Sequence, residues 1–430
     1  MSGKQWGDGR MNAGNDSSAN SELRAHWPLV LTSSIGMALA ASMPIMLGVM
    51  IVSIEHEFGW SRARISSGSL IVSVLGLLLS TAAGYAIDRL GARRIGIAVA
   101  VMMSGALMLL ATTTSSIWHW WIVWTLYGLA ATATGTVWLT PISARFDKSR
   151  GLAIALTLAG TGISGTLLPI IANFVLELHG WRAAYLVVGG IFAVIMVPLT
   201  LFVWHGAEER PHAATSAVSD PAAILPGLTV REGFRSPNFY IIVASMMISS
   251  LAWVALAINT IPILISLHVS AAQAAAIAGT SGLAGITGRF VGGWALDRVR
   301  AKWLVCGAIV GGLALPLTYI TSADNIPLIF AVVMFGSVMS GVKYSGIVYL
   351  VSRHFGPKSF GTLFGTVSIA PAIAVGVGPM LASYVYDVTR SYSLAIWATL
   401  PAMAFAALLI TLLSRYPDFG QVPDESDELS

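Results

Sequence analysis

Arg289 and Lys343 each sit inside an apolar stretch long enough to cross a bilayer, and no acidic residue lies at comparable depth. An isolated charge at the centre of a membrane helix costs roughly 2.5–3.5 kcal/mol on insertion scales. Such a cation persists where it faces a protein interior or a watery cavity, so an unbalanced basic pair is suited to receive something negative. A guanidinium grips a carboxylate with a planar, bidentate fork. An ammonium is a point charge. A carboxylate 4 Å from it, at an effective dielectric near 20, attracts it by about 4 kcal/mol before desolvation is subtracted. Each cation also has a structural alternative. Arg289 could be tied to carbonyls of a broken helix, and Lys343 could stretch toward the cytoplasmic headgroups.

Depth separates these readings. Arg289 precedes Asp297 by eight residues, about 12 Å of helix, and Lys343 stands about 15 Å from Arg353. Gly285, Gly288, Gly292 and Gly293 around Arg289 leave a smooth helix that a neighbour or substrate can approach closely. Asn173, Asn259 and Tyr127 are further polar groups inside spans that could hydrogen-bond a substrate, although interhelical bonding uses the same groups. Glu177, next to His179 and Trp181, reads as interfacial, as do His119 and His268.

No catalytic constellation accompanies them. The chain has no phosphate-loop motif, no His-Glu-x-x-His and no paired-cysteine metal spacing. An enzyme, a cofactor and a metal are therefore not expected. The scattered basic residues form no patch for nucleic acid. The single cysteine, Cys306, rules out an intrachain disulfide.

The elements that must hold these residues follow from composition. Of 430 residues, 56% are hydrophobic and 10% charged, against roughly a quarter charged in soluble proteins. Apolar runs of about 20 residues alternate with short polar stretches, the pattern of a polytopic helical membrane protein. The pattern predicts an all-α membrane protein with twelve spans: 27–53, 65–87, 94–114, 118–140, 151–177, 182–204, 238–265, 272–296, 303–321, 326–350, 360–385 and 392–414. Residues 1–26 read as a disordered cytoplasmic tail, 205–236 as a cytoplasmic connector and 415–430 as a second tail. Trp60, Trp118, Trp120, Trp121, Trp181, Trp204 and Trp303 lie near span ends, where amphipathic rings settle at the membrane interface.

Placing the N-terminus inside puts 18 of the 24 Lys and Arg residues on inner segments. Only Arg62, Arg64, Arg182 and Arg390 fall on outer loops. This asymmetry predicts an inner (cytoplasmic) membrane protein with both termini in the cytoplasm. The chain also repeats itself. Gly84-Tyr85-Ala86-Ile87-Asp88-Arg89 returns 209 positions later as Gly293-Trp294-Ala295-Leu296-Asp297-Arg298, and Pro169 matches Pro379 at an offset of 210. Two parallel six-helix halves, 27–204 and 237–414, fit this spacing, with a substrate site expected near mid-membrane.

Gly84-x-x-x-Asp88-Arg89-Leu90-Gly91-Ala92-Arg93-Arg94 resembles the inner-loop signature of the major facilitator superfamily, and the resemblance covers essentially the whole chain. Phe58-Gly59-Trp60-Ser61-Arg62 and Arg145-Phe146-Asp147-Lys148-Ser149-Arg150-Gly151-Leu152-Ala153 resemble the monocarboxylate-transporter and oxalate/formate-antiporter branch. Arg289 matches that branch's eighth-span arginine, which the resemblance makes a ligand for the substrate carboxylate. Several positions depart from the pattern. Ile45 follows Pro44 where those transporters carry lysine, Gly285 replaces an aspartate, and the eleventh span has no interior cation. Lys343 therefore rests on physics alone. The Gly-Pro-x-x-Gly-Gly pattern of drug exporters is missing from the fifth span.

The resemblance implies a secondary transporter of a small organic anion, a mono- or dicarboxylate, working by alternating access. It would run as an anion exchanger or as a proton symporter, with a counter-anion or a proton as the coupled species and the lipid bilayer as surroundings. Asp88, Arg89, Arg93, Asp297 and Arg298 would form inner-face latches that hold one arrangement of the halves. Export of an amphipathic compound, and a transporter-like receptor that binds an anion without net flux, stay open as alternatives.

Overall fold

In hydrocarbon every backbone N–H and C=O must be satisfied within its own segment, and a sequence of long Leu/Ile/Val/Ala runs meets that demand as helix. A computed structural model describes residues 8–146, 150–204, 227–296, 298–322, 325–356, 360–414 and 416–417. The helices in chain order are α1 (Asp8–Phe58), α2 (Arg62–Leu90), α3 (Ala92–Leu110), α4 (Ile117–Arg145) and α5 (Arg150–Pro198), the last extended by a π-helical turn at Leu199–Val203. They continue with α6 (Val230–Arg235), α7 (Pro237–Ile258), α8 (Thr260–Ser266), α9 (Ala271–Leu296) and α10 (Ala301–Gly312). The last five are α11 (Ala314–Thr321), α12 (Ile326–Phe355), α13 (Phe360–Val367), α14 (Ile369–Thr389) and α15 (Ser393–Thr411).

Among the described residues, ten helical stretches are long and apolar enough to cross a membrane. One of them, Leu152–Val203, has 52 residues, and about 20 suffice for one crossing. It breaks at Gly180, whose φ of 82° and ψ of 170° suit only glycine, so it holds the two expected spans on either side. The remaining span is α9, 26 residues long and less apolar because it is rich in Gly, Ala, Ser and Thr. The protein is thus an all-α membrane protein with twelve transmembrane helices.

Three expected spans are each broken in two, at Asn259, Leu313 and Ser368. Each break lies three residues before a proline: Pro262, Pro316 and Pro371. Proline cannot donate to the carbonyl four residues back, and its ring crowds that carbonyl, so the helix opens there. Residues 1–7 of the expected tail lie outside the described residues, and α1 runs from Asp8 with a break at His26 (φ −119°, ψ 16°) just before Pro28. The tryptophans need a correction. Trp118 and Trp303 are exposed, but Trp60, Trp120, Trp181 and Trp204 are buried, packing against other aromatic rings. Interior packing competes with the membrane interface for amphipathic rings, and sequence position alone does not decide between them.

The chain divides into two compact units, one within Met1–Ala217 and Ile258–Leu283, the other within Val218–Ala257 and Ala284–Ser430. Glycines explain why 258–283 joins the first unit rather than following the expected 237–414 boundary. Gly48 of α1 has no room for a Cβ against the Ile258 carbonyl that Pro262 leaves open, and Gly282 of α9 lies directly on Gly162 and Thr166 of α5. In the same unit Gly91 joins α2 to α3 in a single residue with φ 85°, so the inner-loop signature contains a glycine that its backbone requires. The second unit has its own apolar core, including Phe239, Ile242, Ile309, Ile347, Leu350 and Ile410.

Candidate functional site

The position of Arg289 is set by a glycine seam. On α9, Gly288 and Gly292 meet the backbone of Val338 and Val342 on α12 with no space for a Cβ, and Gly341 of α12 lies equally close to Gly285 and Arg289. Residues spaced 3, 4 and 7 apart share one helix face, so Val338, Gly341, Val342 and Ser345 form the α12 side of this contact. The Ser345 hydroxyl donates to the Arg289 carbonyl at 3.2 Å. The Arg289 side chain is exposed, with its guanidinium carbon 5.4 Å from the centre of the Tyr344 ring. Among the described residues the ion pairs are Glu55–Arg62 and Glu57–Arg182, and neither involves Arg289 or Lys343.

Lys343 points elsewhere. With Gly336, Met339 and Ser340 it forms a separate stripe of α12 that faces a small cavity also bounded by Ser249, Trp253 and Met403. The residue is 6% exposed, and its ammonium donates to the Ser249 hydroxyl at 3.2 Å and the Ser250 hydroxyl at 3.4 Å. The two cations lie on the same unit, but Arg289 does not line this cavity. Arg289 on α9 and Lys343 on α12 do not form one cluster.

The other candidate ligands belong to the first unit. Tyr127 is fully buried, and its hydroxyl lies 2.7 Å from the Leu39 carbonyl, 3.0 Å from the Ala40 carbonyl and 3.4 Å from the Met43 nitrogen. Pro44 removes the N–H that would otherwise bond Ala40, so Tyr127 closes a gap in α1 from α4. Asn173 is buried, and its amide donates to Glu177 at 2.9 Å, one turn along α5. Asn259 is 1% exposed at the α7–α8 break, where its carbonyl accepts from the Ile263 nitrogen at 2.8 Å.

At the inner-face signatures, Asp297 and the side chain of Asp88 lie outside the described residues. Arg89 stacks 4.7 Å from the Tyr85 ring and Arg298 stacks 4.1 Å from the Trp294 ring, each four residues back. The repeat therefore carries an aromatic–arginine pair as well as an acid–base one. The i, i+4 spacing could have revealed it from the sequence. Arg93 donates to the Leu201 carbonyl at 2.9 Å, tying the signature loop to the end of the sixth span. Tyr344, Ser249 and Ser250 had no sequence signal, because their proximity to the cations depends on how α12 is rotated against its neighbours.

The Major Facilitator Superfamily model matches residues 30–261 and again 241–428. "Monocarboxylate transporter 12" of Homo sapiens is 21% identical over 343 residues, covering 74% of this chain and 66% of that protein. "Monocarboxylate transporter 13" of Bos taurus is 25% identical over 404 residues, covering 90% of this chain and 89% of that one. The chain thus spans just under two thirds of the human relative's length. Among solved structures, a bacterial homolog of the human lysosomal transporter Spinster, in an inward-facing and occupied conformation, superposes with a TM-score of 0.73. It has 15% identity and covers 90% of this chain and 96% of that one, a likeness of fold.

Proposed function

The chain belongs to the Major Facilitator Superfamily, and from that premise we propose that it carries a small organic anion, a mono- or dicarboxylate, across the inner membrane by alternating access. The family and fold are those of membrane transporters, and relatives at low identity are named as monocarboxylate transporters. The observation that carries the anion reading is Arg289. Its exposed guanidinium has no carboxylate partner among the described residues, and it is held at depth on a glycine-lined helix. A carboxylate supplies the missing charge and fits the guanidinium fork.

Arg289 is the substrate ligand in this reading, with Tyr344 supporting its guanidinium plane. Lys343, buried beside a separate small cavity, contributes positive charge without touching the substrate. Exchange suits one exposed cation directly, because a second anion restores charge compensation at the site; proton symport needs in addition a titrating group, since a guanidinium keeps its proton. The orientation, with both termini in the cytoplasm, is supported by the excess of Lys and Arg on alternate segments, 18 of 24 against Arg62, Arg64, Arg182 and Arg390.

The test is a thermal-shift screen of purified protein against mono-, di- and tricarboxylates beside their uncharged amides. Stabilisation by one carboxylate class but not by its amide supports the reading, since a ligand selective for the folded state raises its stability. Equal stabilisation by acid and amide removes the carboxylate from recognition.

A further inference from the structure

Four helices of the second unit converge on the Lys343 ammonium: α7, α10, α12 and α15. The space they leave is on the order of one water molecule. The polar residues that line it are Lys343, Ser249 and Ser340, and Trp253 forms part of the rest. Among the described residues no carboxylate pairs with this ammonium. The two serine contacts, at 3.2 and 3.4 Å, are long for a charged N–H donor, which prefers about 2.7–2.9 Å. Buried charge of this kind needs a counter-charge or fuller hydrogen bonding.

We propose that this cavity is a binding site for one small inorganic anion of the halide class, held by Lys343 and the serine hydroxyls, and distinct from the exposed Arg289. The space, about that of one water, suits a monatomic anion better than a carboxylate or phosphate. Charge favours an anion over a neutral guest. The chemistry of the wall agrees. Serine hydroxyls can rotate to donate inward. Gly336 makes the geometry possible: a Cβ there would lie 2.9 Å from the Trp253 ring. The site stands whether or not the transported species is a carboxylate.

The experiment is equilibrium binding of radiolabelled chloride to the full chain in nanodiscs of uncharged lipid, in sodium gluconate buffer. The expected result is saturable binding of one chloride per chain, displaced by bromide but not by acetate. Lys343→Met should abolish it, Ser340→Ala should weaken it several-fold, and Arg289→Gln should leave it intact. Should Lys343→Met fail to fold, Ser249→Ala combined with Ser340→Ala decides, and unchanged chloride affinity in that folded variant overturns the proposal. Absence of saturable binding in the folded wild type also overturns it, as does loss of binding in Arg289→Gln. Displacement by acetate as readily as by bromide would mean that the site takes carboxylates instead, and would overturn it too.

Discussion

Replacing Arg289 with glutamine removes the one exposed cation in the interior of a span among the described residues, while keeping a polar side chain. A guanidinium and a carboxylate 4 Å apart at an effective dielectric near 20 attract by about 4 kcal/mol. Solvent around an exposed group and the cost of ordering both side chains reduce this, so a net loss of about 2–3 kcal/mol is expected. At 1.4 kcal/mol per tenfold, anion affinity should fall by about 30- to 140-fold. Arg289→Lys keeps the charge and loses the fork, and should fall between wild type and glutamine. Folding should be nearly unaffected. The guanidinium's contact is the Tyr344 ring at 5.4 Å, and an exposed cation–π pair is worth about 0.5–1 kcal/mol. The assay is equilibrium binding of labelled carboxylate to purified protein in nanodiscs, with thermal unfolding measured alongside. Wild-type affinity in a folded glutamine variant would refute the reasoning. Equal losses in the lysine and glutamine variants would do so as well, since charge would then play no part.

Tyr127→Phe should lower stability by about 1–3 kcal/mol, because it leaves a buried carbonyl beside Pro44 without its donor; thermal unfolding measures this, and an unchanged midpoint contradicts it. Gly341→Val should cost about 1–3 kcal/mol or more by forcing α9 and α12 apart, whereas Gly293→Ala, with nothing within 4 Å of the added carbon, should be tolerated. Comparing the yields of folded protein decides between them, and equal yields count against the glycine seam. Arg89→Gln should slow exchange while leaving equilibrium anion affinity within about twofold, the signature of a group that acts on conformational change rather than binding. A matching loss of affinity would exclude that role.

The number of spans was legible because periodic apolar runs of bilayer length are hard to encode by accident. α9 was the least apolar span and still readable, since its glycines mark a packing face rather than a loop. The breaks at Asn259, Leu313 and Ser368 were implicit in three prolines but invisible to a reading based on hydropathy. The buried tryptophans were misjudged because interior packing leaves little trace in residue order. At the site, the depth of Arg289 and Lys343 could be counted along their helices. Their directions could not. One helical residue is a turn of about 100°, enough to separate the Ser345 face of α12 from the face that carries Lys343 into its cavity.

Counterflow in proteoliposomes tests the central claim most directly. Vesicles preloaded with an unlabelled carboxylate identified by the stability screen should transiently accumulate the labelled form above equilibrium. Arg289→Gln should abolish that accumulation. Undiminished accumulation by the variant, or transport of an uncharged amphiphile with no carboxylate flux by the wild type, would contradict the account.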